Sequence, residues 1–296
     1  MSDGLFQTTP IVTGISAVAN DYDGFVIDTA GVLHDGSALY PGAADALRHL
    51  KARGKKICLL TNQARRAASA AKLLDDMGLE RDLYDHLLTS GELAHQWLRH
   101  RPEEWLRDLG TACLHFGPIR DAELIHGLDM EAVDQPYLAQ FVLCTGFNEV
   151  EDVLADYEEV FRICISKDLP LLCADPERWR LAGGERLHAA GAMARRYGEL
   201  GGDVEYCGLP FADLYERCFD VLKIADRSRI LAIGDNLTTD IAGAGGVGID
   251  SVLVTGGIHR EEFGTVWGKP PTEERLHCIV AATPKPPCAA LAAFVW

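Results

Sequence analysis

The sequence predicts an α/β protein: a doubly wound parallel sheet with a second, smaller α/β domain inserted into it. Three observations carry that expectation. Short apolar runs alternate with helix-patterned segments at both ends of the chain, the pattern of strand–helix–strand units joined into a parallel sheet. Two of the runs, Gly24-Phe-Val-Ile-Asp28 and Arg229-Ile-Leu-Ala-Ile-Gly234-Asp235, end in aspartate, which places carboxylates at the sheet edge where open α/β folds do their chemistry. The stretch from about Glu92 to about Asp203 is too long for a loop and has its own strand and helix patterns, so it reads as an inserted domain. The expected division is a discontinuous core of 1–91 and 204–296, with the insertion at 92–203.

In chain order, Phe25–Thr29 is the first strand. In Pro41–Arg53, the residues Ala43, Ala46, Leu47 and Leu50 fall at helical spacing, with Pro41 suited to a first turn and Gly54 to a stop. Lys56–Thr61 is the next strand, and Ala64–Met77 the next helix, stopped by Gly78. Within the insertion, Ala112–Phe116, Gln140–Thr145 and Leu171–Ala174 read as strands, and Glu149–Ile163 and Leu187–Leu200 as helices. The core resumes with a helix over Phe211–Ala225, a strand at Ile230–Ile233, a helix starting at Thr239–Ala244 and a strand at Ser251–Thr255. The Pro-rich stretch from Thr283 is expected to run over the surface before the apolar end Leu291–Trp296 docks.

The composition is that of a globular chain, with 48% apolar and 24% charged residues among 296. The net charge of -16 argues against nucleic-acid or anionic-membrane partners. No apolar run approaches the ~20 residues that span a bilayer, and Met1–Phe6 lacks the basic and apolar segments of a signal peptide. The nine cysteines are odd in number and form no C-x-x-C pair, and several lie inside apolar runs. They read as small core residues in a reducing compartment, so a cytoplasmic protein is expected.

Asp28 stands where a nucleophilic or metal-binding carboxylate would stand, and equally where a turn or helix-capping aspartate would. Asp235 and Asp240 flank a strand-to-helix turn. Two carboxylates there repel unless a cation shares them, and Mg²⁺ favours a few carboxylates with water and phosphate oxygens; the alternative is a turn aspartate followed by one favoured by the helix dipole. Thr61-Asn62 ends its strand with a hydroxyl and amides that suit either an anion or a helix cap.

These residues carry a resemblance. Asp28-Thr-Ala-Gly-Val-Leu-His-Asp-Gly36 resembles the first motif of the haloacid dehalogenase (HAD) superfamily, Leu59-Leu-Thr61-Asn62 the second, and Gly234-Asp235-Asn-Leu-Thr-Thr-Asp240 the fourth. The insertion is similar in place and size to a type II cap, with Cys173-Ala-Asp-Pro176 and Gly201–Gly208 near its end. The chain is thereby identified as a member of subfamily IIA, the NagD-like and 4-nitrophenylphosphatase-like group. The resemblance implies a Rossmann-like core and a Mg²⁺-dependent phosphohydrolase acting on a small phosphorylated metabolite. Asp28 would attack phosphorus and form an aspartyl-phosphate. Asp28, Asp235 and the backbone carbonyl of Ala30 would hold the metal, supported by Asp240, while Thr61 and Asn62 would bind the phosphoryl group. Asp175 lies where the family cap approaches substrate and is a candidate for specificity. Relatives pair through their caps, so a homo-oligomer is a further expectation.

Two positions depart from the family pattern. Ala30 stands where an Asp protonates the leaving group, a function typically worth ~10²–10⁴-fold. Gly208-Leu209-Pro210 stands where a Lys is usual, and loss of such a preorganised charge commonly costs ~10²–10³-fold. An Asp and a Lys are absent together, so the formal charge of the metal site is unchanged. Two alternatives to phosphate-ester hydrolysis follow: a pseudoenzyme that binds a phosphorylated ligand without turnover, and a phosphonatase-like C–P hydrolase using Lys167, the only lysine of the insertion, to form a Schiff base with substrate. Arg65 and Arg66 either replace part of the lost positive charge or lie exposed in a helix first turn. His34 either faces the cleft or is solvated. Trp97, Trp105, Trp179 and Trp267 read as packing residues.

Overall fold

The structure, a computed structural model, describes residues 8–182 and 185–296. Residues 1–7, which carry the signal-peptide reading and begin the expected core, lie outside the described residues, as do 183–184 of the insertion. The first part of the chain forms β1 (Ile11–Val12), β2 (Gly24–Asp28), α1 (Ala43–Ala52), β3 (Lys56–Thr61), α2 (Ala67–Asp76), β4 (His86–Thr89) and α3 (Ser90–His100). Then follow α4 (Glu104–Asp108), β5 (Ala112–Phe116), β6 (Glu131–Val133), β7 (Phe141–Cys144), α5 (Leu154–Ser166), β8 (Leu171–Cys173), β9 (Trp179–Ala182), β10 (Glu185–His188), α6 (Ala190–Glu199) and β11 (Val204–Tyr206). The last part forms α7 (Ala212–Leu222), β12 (Ile230–Gly234), α8 (Ala242–Gly246), β13 (Asp250–Val254), α9 (Arg260–Phe263), α10 (Glu273–Val280) and β14 (Ala289–Leu291).

Among the described residues, two parallel sheets organise the fold. The first has the order β1-β14-β13-β12-β2-β3-β4, with every neighbouring pair parallel. The chain winds from β2 outward through β3 to β4, then returns at β12 on the other side of β2. The crevice between β2 and β12 is therefore the topological switch point, the site where such sheets bind ligands. The second sheet, β11-β8-β7-β5-β6, is also parallel, and β9 and β10 form an antiparallel hairpin beside it.

Alternation along the central strands explains how the layers stack. Phe25 and Ile27 of β2, Ile57 and Leu59 of β3, and Leu231 and Ile233 of β12 enter one apolar cluster, with Leu47 and Leu50 of α1. Val26, Cys58, Leu60, Ile230 and Ala232 point the other way and join a cluster that includes Phe141, Leu143 and Leu172 of the second sheet. One apolar cluster thus runs from the first sheet into the insertion.

Several elements differ from the sequence expectation. α1 begins after Gly42, which takes φ +86° at its N-cap, so Pro41 precedes the helix. α2 starts at Ala67, with Arg65 in a bend and Arg66 extended at the N-cap. Three contacts hold that approach: the Arg66 amide donates to Glu123 Oε1 at 3.0 Å, the Gly91 amide to Gln63 O at 3.1 Å, and Thr89 Oγ1 to Arg65 O at 2.6 Å. β1, β4, β6, β9, β10, β11 and β14, each of two to four residues, were not anticipated. The expected boundary at 91/92 falls inside α3, and β11 pairs with β8, so the second sheet extends beyond residue 203. The C-terminal segment does more than dock: β14 completes the first sheet between β1 and β13, and Phe294 is buried.

Candidate active site

Parallel register brings the two strand ends together. Ile27 of β2 pairs with Ile233 of β12, so Asp28 and Asp235 emerge at the same edge of the sheet. A π-helical turn, Leu237–Ile241, then carries Asp240 back under the crevice. One oxygen from each of Asp28, Asp235 and Asp240 lies within 4.8 Å of the others. Asp235 and Asp240 are buried. The Ile258 amide donates to Asp235 Oδ2 at 2.6 Å, and the Asn236 amide to Asp240 Oδ2 at 3.0 Å. The close approach requires glycine at residue 31. Its φ is +86°, and a Cβ there would lie 1.8 Å from Asp235 Oδ2.

Burial raises the Asp28 carboxyl well above its ordinary value, and the neighbouring charges of Asp240, Asp235 and Glu177 raise it further. Asp235 and Asp240 are raised for the same leading reason, burial. Three clustered carboxylates under mutual repulsion, all hard oxygen donors, fit a divalent cation such as Mg²⁺. Ala30 lines the same cavity.

The second-motif residues lie beside this cluster. Thr61, the last residue of β3, and Asn62 are both buried. Asn62 is engaged at both ends of its amide: Nδ2 donates to Leu209 O and to Glu177 Oε1, each at 3.2 Å, and Oδ1 accepts from the Leu209 amide at 2.7 Å. Its side chain therefore brackets the Leu209 loop. Leu209 itself is 1% exposed and packs into the apolar cluster between the sheets.

Glu177 is the residue that the sequence did not reveal. It follows β8 through a turn in which the Glu177 amide donates to Asp175 Oδ1 at 3.0 Å. Its carboxylate reaches from the insertion into the core, where Thr239 Oγ1 donates to Oε1 at 2.7 Å and Asn236 Nδ2 donates to Oε2. The acid two residues after Asp175, behind a strand-ending proline, was the available signal. Glu177 also alters the charge inferred from sequence, because a further carboxylate now faces the three aspartates.

These groups open into a cavity of about 220 Å³ lined by the edge of the first sheet, by residues that follow β7 and β8 of the second and by β9, with Asp28, Thr61, Asp175, Glu177 and Asp235 in its wall. Asp175 reaches it as expected, and burial raises its carboxyl well above the ordinary value. His34 is not solvated: it is 1% exposed and lines the cavity. Its Nδ1 accepts from the Gly36 amide at 3.0 Å, which leaves the proton on Nε2, an atom with no partner among the described residues. Trp179 lines the cavity rather than packing away from it, with its ring 4.2 Å from that of His188. Trp97 and Trp105 pack edge to face, and Trp267 stacks on Tyr40. Lys167 is exposed at the end of α5, and among the described residues no lysine lines the cavity. The Schiff-base expectation is therefore overturned. Arg65 lines the cavity, whereas Arg66 is held in a two-point pair with Glu92, at 2.7 and 3.1 Å.

Fold and site together define a class: a doubly wound α/β protein with an acidic crevice at its switch point, covered by an inserted sheet. Residues 25–131 match the family model of haloacid dehalogenase-like hydrolases, and residues 206–273 match a second, HAD-hydrolase-like model. A hydrolase of the haloacid dehalogenase-like family from Brucella suis 1330 has the same fold, with a TM-score of 0.82 and 30% identity over 96% of this chain and 100% of that one. Chronophin from Homo sapiens is 27% identical over 248 residues, 81% of this chain and 83% of that protein. Glycerol-3-phosphate phosphatase from Gallus gallus is 26% identical over 266 residues, 83% of each chain. The chain belongs to the haloacid dehalogenase-like hydrolases, in the NagD-like subfamily IIA.

Proposed function

We propose that this hydrolase is a Mg²⁺-dependent phosphatase of a small phosphorylated metabolite, working through an aspartyl-phosphate at Asp28. The observation that carries the reading is the convergence of Asp28, Asp235 and Asp240 within 4.8 Å at the switch point of the sheet. The likeness to chronophin and to a glycerol-3-phosphate phosphatase supports phosphate esters as substrates. Asp28, Asp235 and the Ala30 carbonyl would hold Mg²⁺, with Asp240 fixing the loop. When bound, the cation supplies charge neutralisation for the phosphoryl oxygens.

The Asp28 carboxylate oxygen forms the bond to phosphorus as the ester P–O bond breaks. Ala30 offers no proton, so the departing oxygen takes one from solvent. Water then attacks the same phosphorus, releasing phosphate and regenerating the Asp28 carboxylate. Thr61 orients the phosphoryl group from the end of β3. Residues of the insertion close over the cleft and limit water, while Glu177 ties that cover to Asn62, Asn236 and Thr239. The seven buried, unpaired thiols support a cytoplasmic setting, and no helix among the described residues is long and apolar enough to cross a membrane.

Release of p-nitrophenol from p-nitrophenyl phosphate with Mg²⁺ tests the reading. Turnover should exceed that of an Asp28→Asn control by several orders of magnitude, and equality with that control would refute it. One observation favours a second reading, ligand binding without turnover: Leu209 places an apolar side chain in the core where relatives of this subfamily carry a cation. The same assay separates the two.

A further inference from the structure

The cavity has a second, oppositely charged end. Arg65 comes from the loop between β3 and α2, Arg120 from a 3₁₀ segment (Ile119–Ile125) of the insertion, and Arg180 from β9. All three line the cavity, and all three act on one carboxylate, Asp121. Asp121 is 5% exposed. Its Oδ1 accepts no hydrogen bond among the described residues, and Arg120 Nε stands 3.5 Å away. Neither Arg65 nor Arg180 donates a side-chain hydrogen bond there. Arginines recruited only to neutralise Asp121 would form a bidentate pair at about 2.7–2.9 Å. Here, among the described residues, Arg120 alone comes within 4.0 Å of that carboxylate, and Arg65 and Arg180 line the cavity with no salt-bridge partner.

Burial raises the Asp121 carboxyl, with Arg120, Arg65 and Arg180 opposing that rise and Glu123 adding to it.

We propose that this end of the cleft is a second anion subsite, so that the substrate is a phosphate ester bearing a second anionic group, a distal carboxylate or phosphate that meets Arg65, Arg120 and Arg180. The inference rests on the phosphatase reading for events at Asp28, and on the three arginines for its own content. Arg120 and Arg180 are exposed, so Arg120→Gln with Arg180→Gln keeps the fold, which a thermal melt checks.

The test compares three esters of similar length with Mg²⁺: glycerol phosphate, a phosphorylated three-carbon hydroxy acid, and a three-carbon bisphosphate. One of the two esters with a second anionic group should exceed glycerol phosphate in kcat/KM by at least about tenfold, the effect of a single charge-assisted hydrogen bond. Which one does so distinguishes a carboxylate from a phosphate as the distal group. The preference should collapse toward unity in the double Gln variant and partly survive in the double Lys variant. No preference, or a preference that survives in the double Gln variant, overturns the proposal. Calorimetry of the same esters on the Asp28→Asn protein reads the subsite without turnover. Selective binding there by a protein that hydrolyses none of the three would sink the phosphatase reading and leave the subsite standing. Hydrolysis of all three without selectivity would do the reverse.

Discussion

Gly31→Ala should separate the architecture of the carboxylate cluster from ordinary backbone strain. Gly31 and Gly54 both have positive φ, +86° and +70°. At Gly54 an added Cβ meets nothing within 4 Å, so Gly54→Ala reports only the left-handed backbone penalty, about 1–2 kcal/mol. At Gly31 the same methyl would lie 1.8 Å from Asp235 Oδ2. Asp235 cannot retreat easily, since a Cβ built on Gly257 would also lie 2.0 Å from that oxygen. Displacing it breaks the 2.6 Å bond from the Ile258 amide, worth roughly 1.5–3 kcal/mol for a charged acceptor. Gly31→Ala should therefore melt roughly 3–12 °C below Gly54→Ala, at about 2–4 °C per kcal/mol. Cation binding provides an independent readout. Millimolar Mg²⁺ should raise the melting temperature of wild type and Gly54→Ala and leave Gly31→Ala almost unmoved. If the two variants melt together and respond alike to Mg²⁺, the crevice does not depend on the position of Asp235 and the argument fails.

Two further outcomes follow from the same geometry. Ala30→Asp restores a proton donor beside Asp28 and should raise turnover of glycerol phosphate by ~10²-fold or more, well above its effect on p-nitrophenyl phosphate; paired initial rates check this, and an equal gain on both would show that leaving-group protonation is not what the chain lacks. His115, which exchanges a hydrogen bond with Thr145 Oγ1 at 2.8 Å, is pushed down to about 4 by burial. The unfolded chain therefore binds its proton first as pH falls. The His115 contribution to stability should be flat above about pH 6.5 and fall by up to about 3 kcal/mol between there and pH 4. Urea melts across that range should show a shallower fall in His115→Gln; an unchanged slope would assign it to other groups.

The parts of the site written in local periodicity were legible in the sequence. Asp28 and Asp235 end apolar runs, and Asp240 follows at a spacing that a single turn can close, so their convergence needed only parallel pairing of their strands. Glu177, Arg120 and Arg180 were not legible in this way. Their positions depend on how the insertion folds over the core, which no local pattern encodes. His34 was ambiguous for a related reason: its loop looks polar, yet β9 packs against that loop, where a Cβ on Gly36 would lie 2.8 Å from Leu181 O and 3.5 Å from Ala182 Cα. The missed strands are short, and β1, β4 and β14 gain order from neighbours distant in sequence rather than from their own alternation. The pairing of β11 with β8 leaves no trace in the sequence because Val204-Glu-Tyr206 carries too few residues to show a period.

The position of β2 between β3 and β12 has a consequence for how the protein is made. β2 and β3 lie close in sequence and can pair as soon as both have been synthesised, but the other flank of β2 stays open until β12 emerges, long after the insertion. Closing so long a loop is entropically unfavourable and slows folding. The insertion eases this: once its own sheet forms, the ends of the loop at α3 and Cys207 are held in a single apolar cluster. The insertion would thus act first as a splint that brings the two halves of the core together, and only afterwards as the cover of the cleft. During synthesis the bare edge of β2, with Phe25, Val26 and Ile27 exposed, is the stretch most open to mispairing, and a chaperone would find its clearest target there.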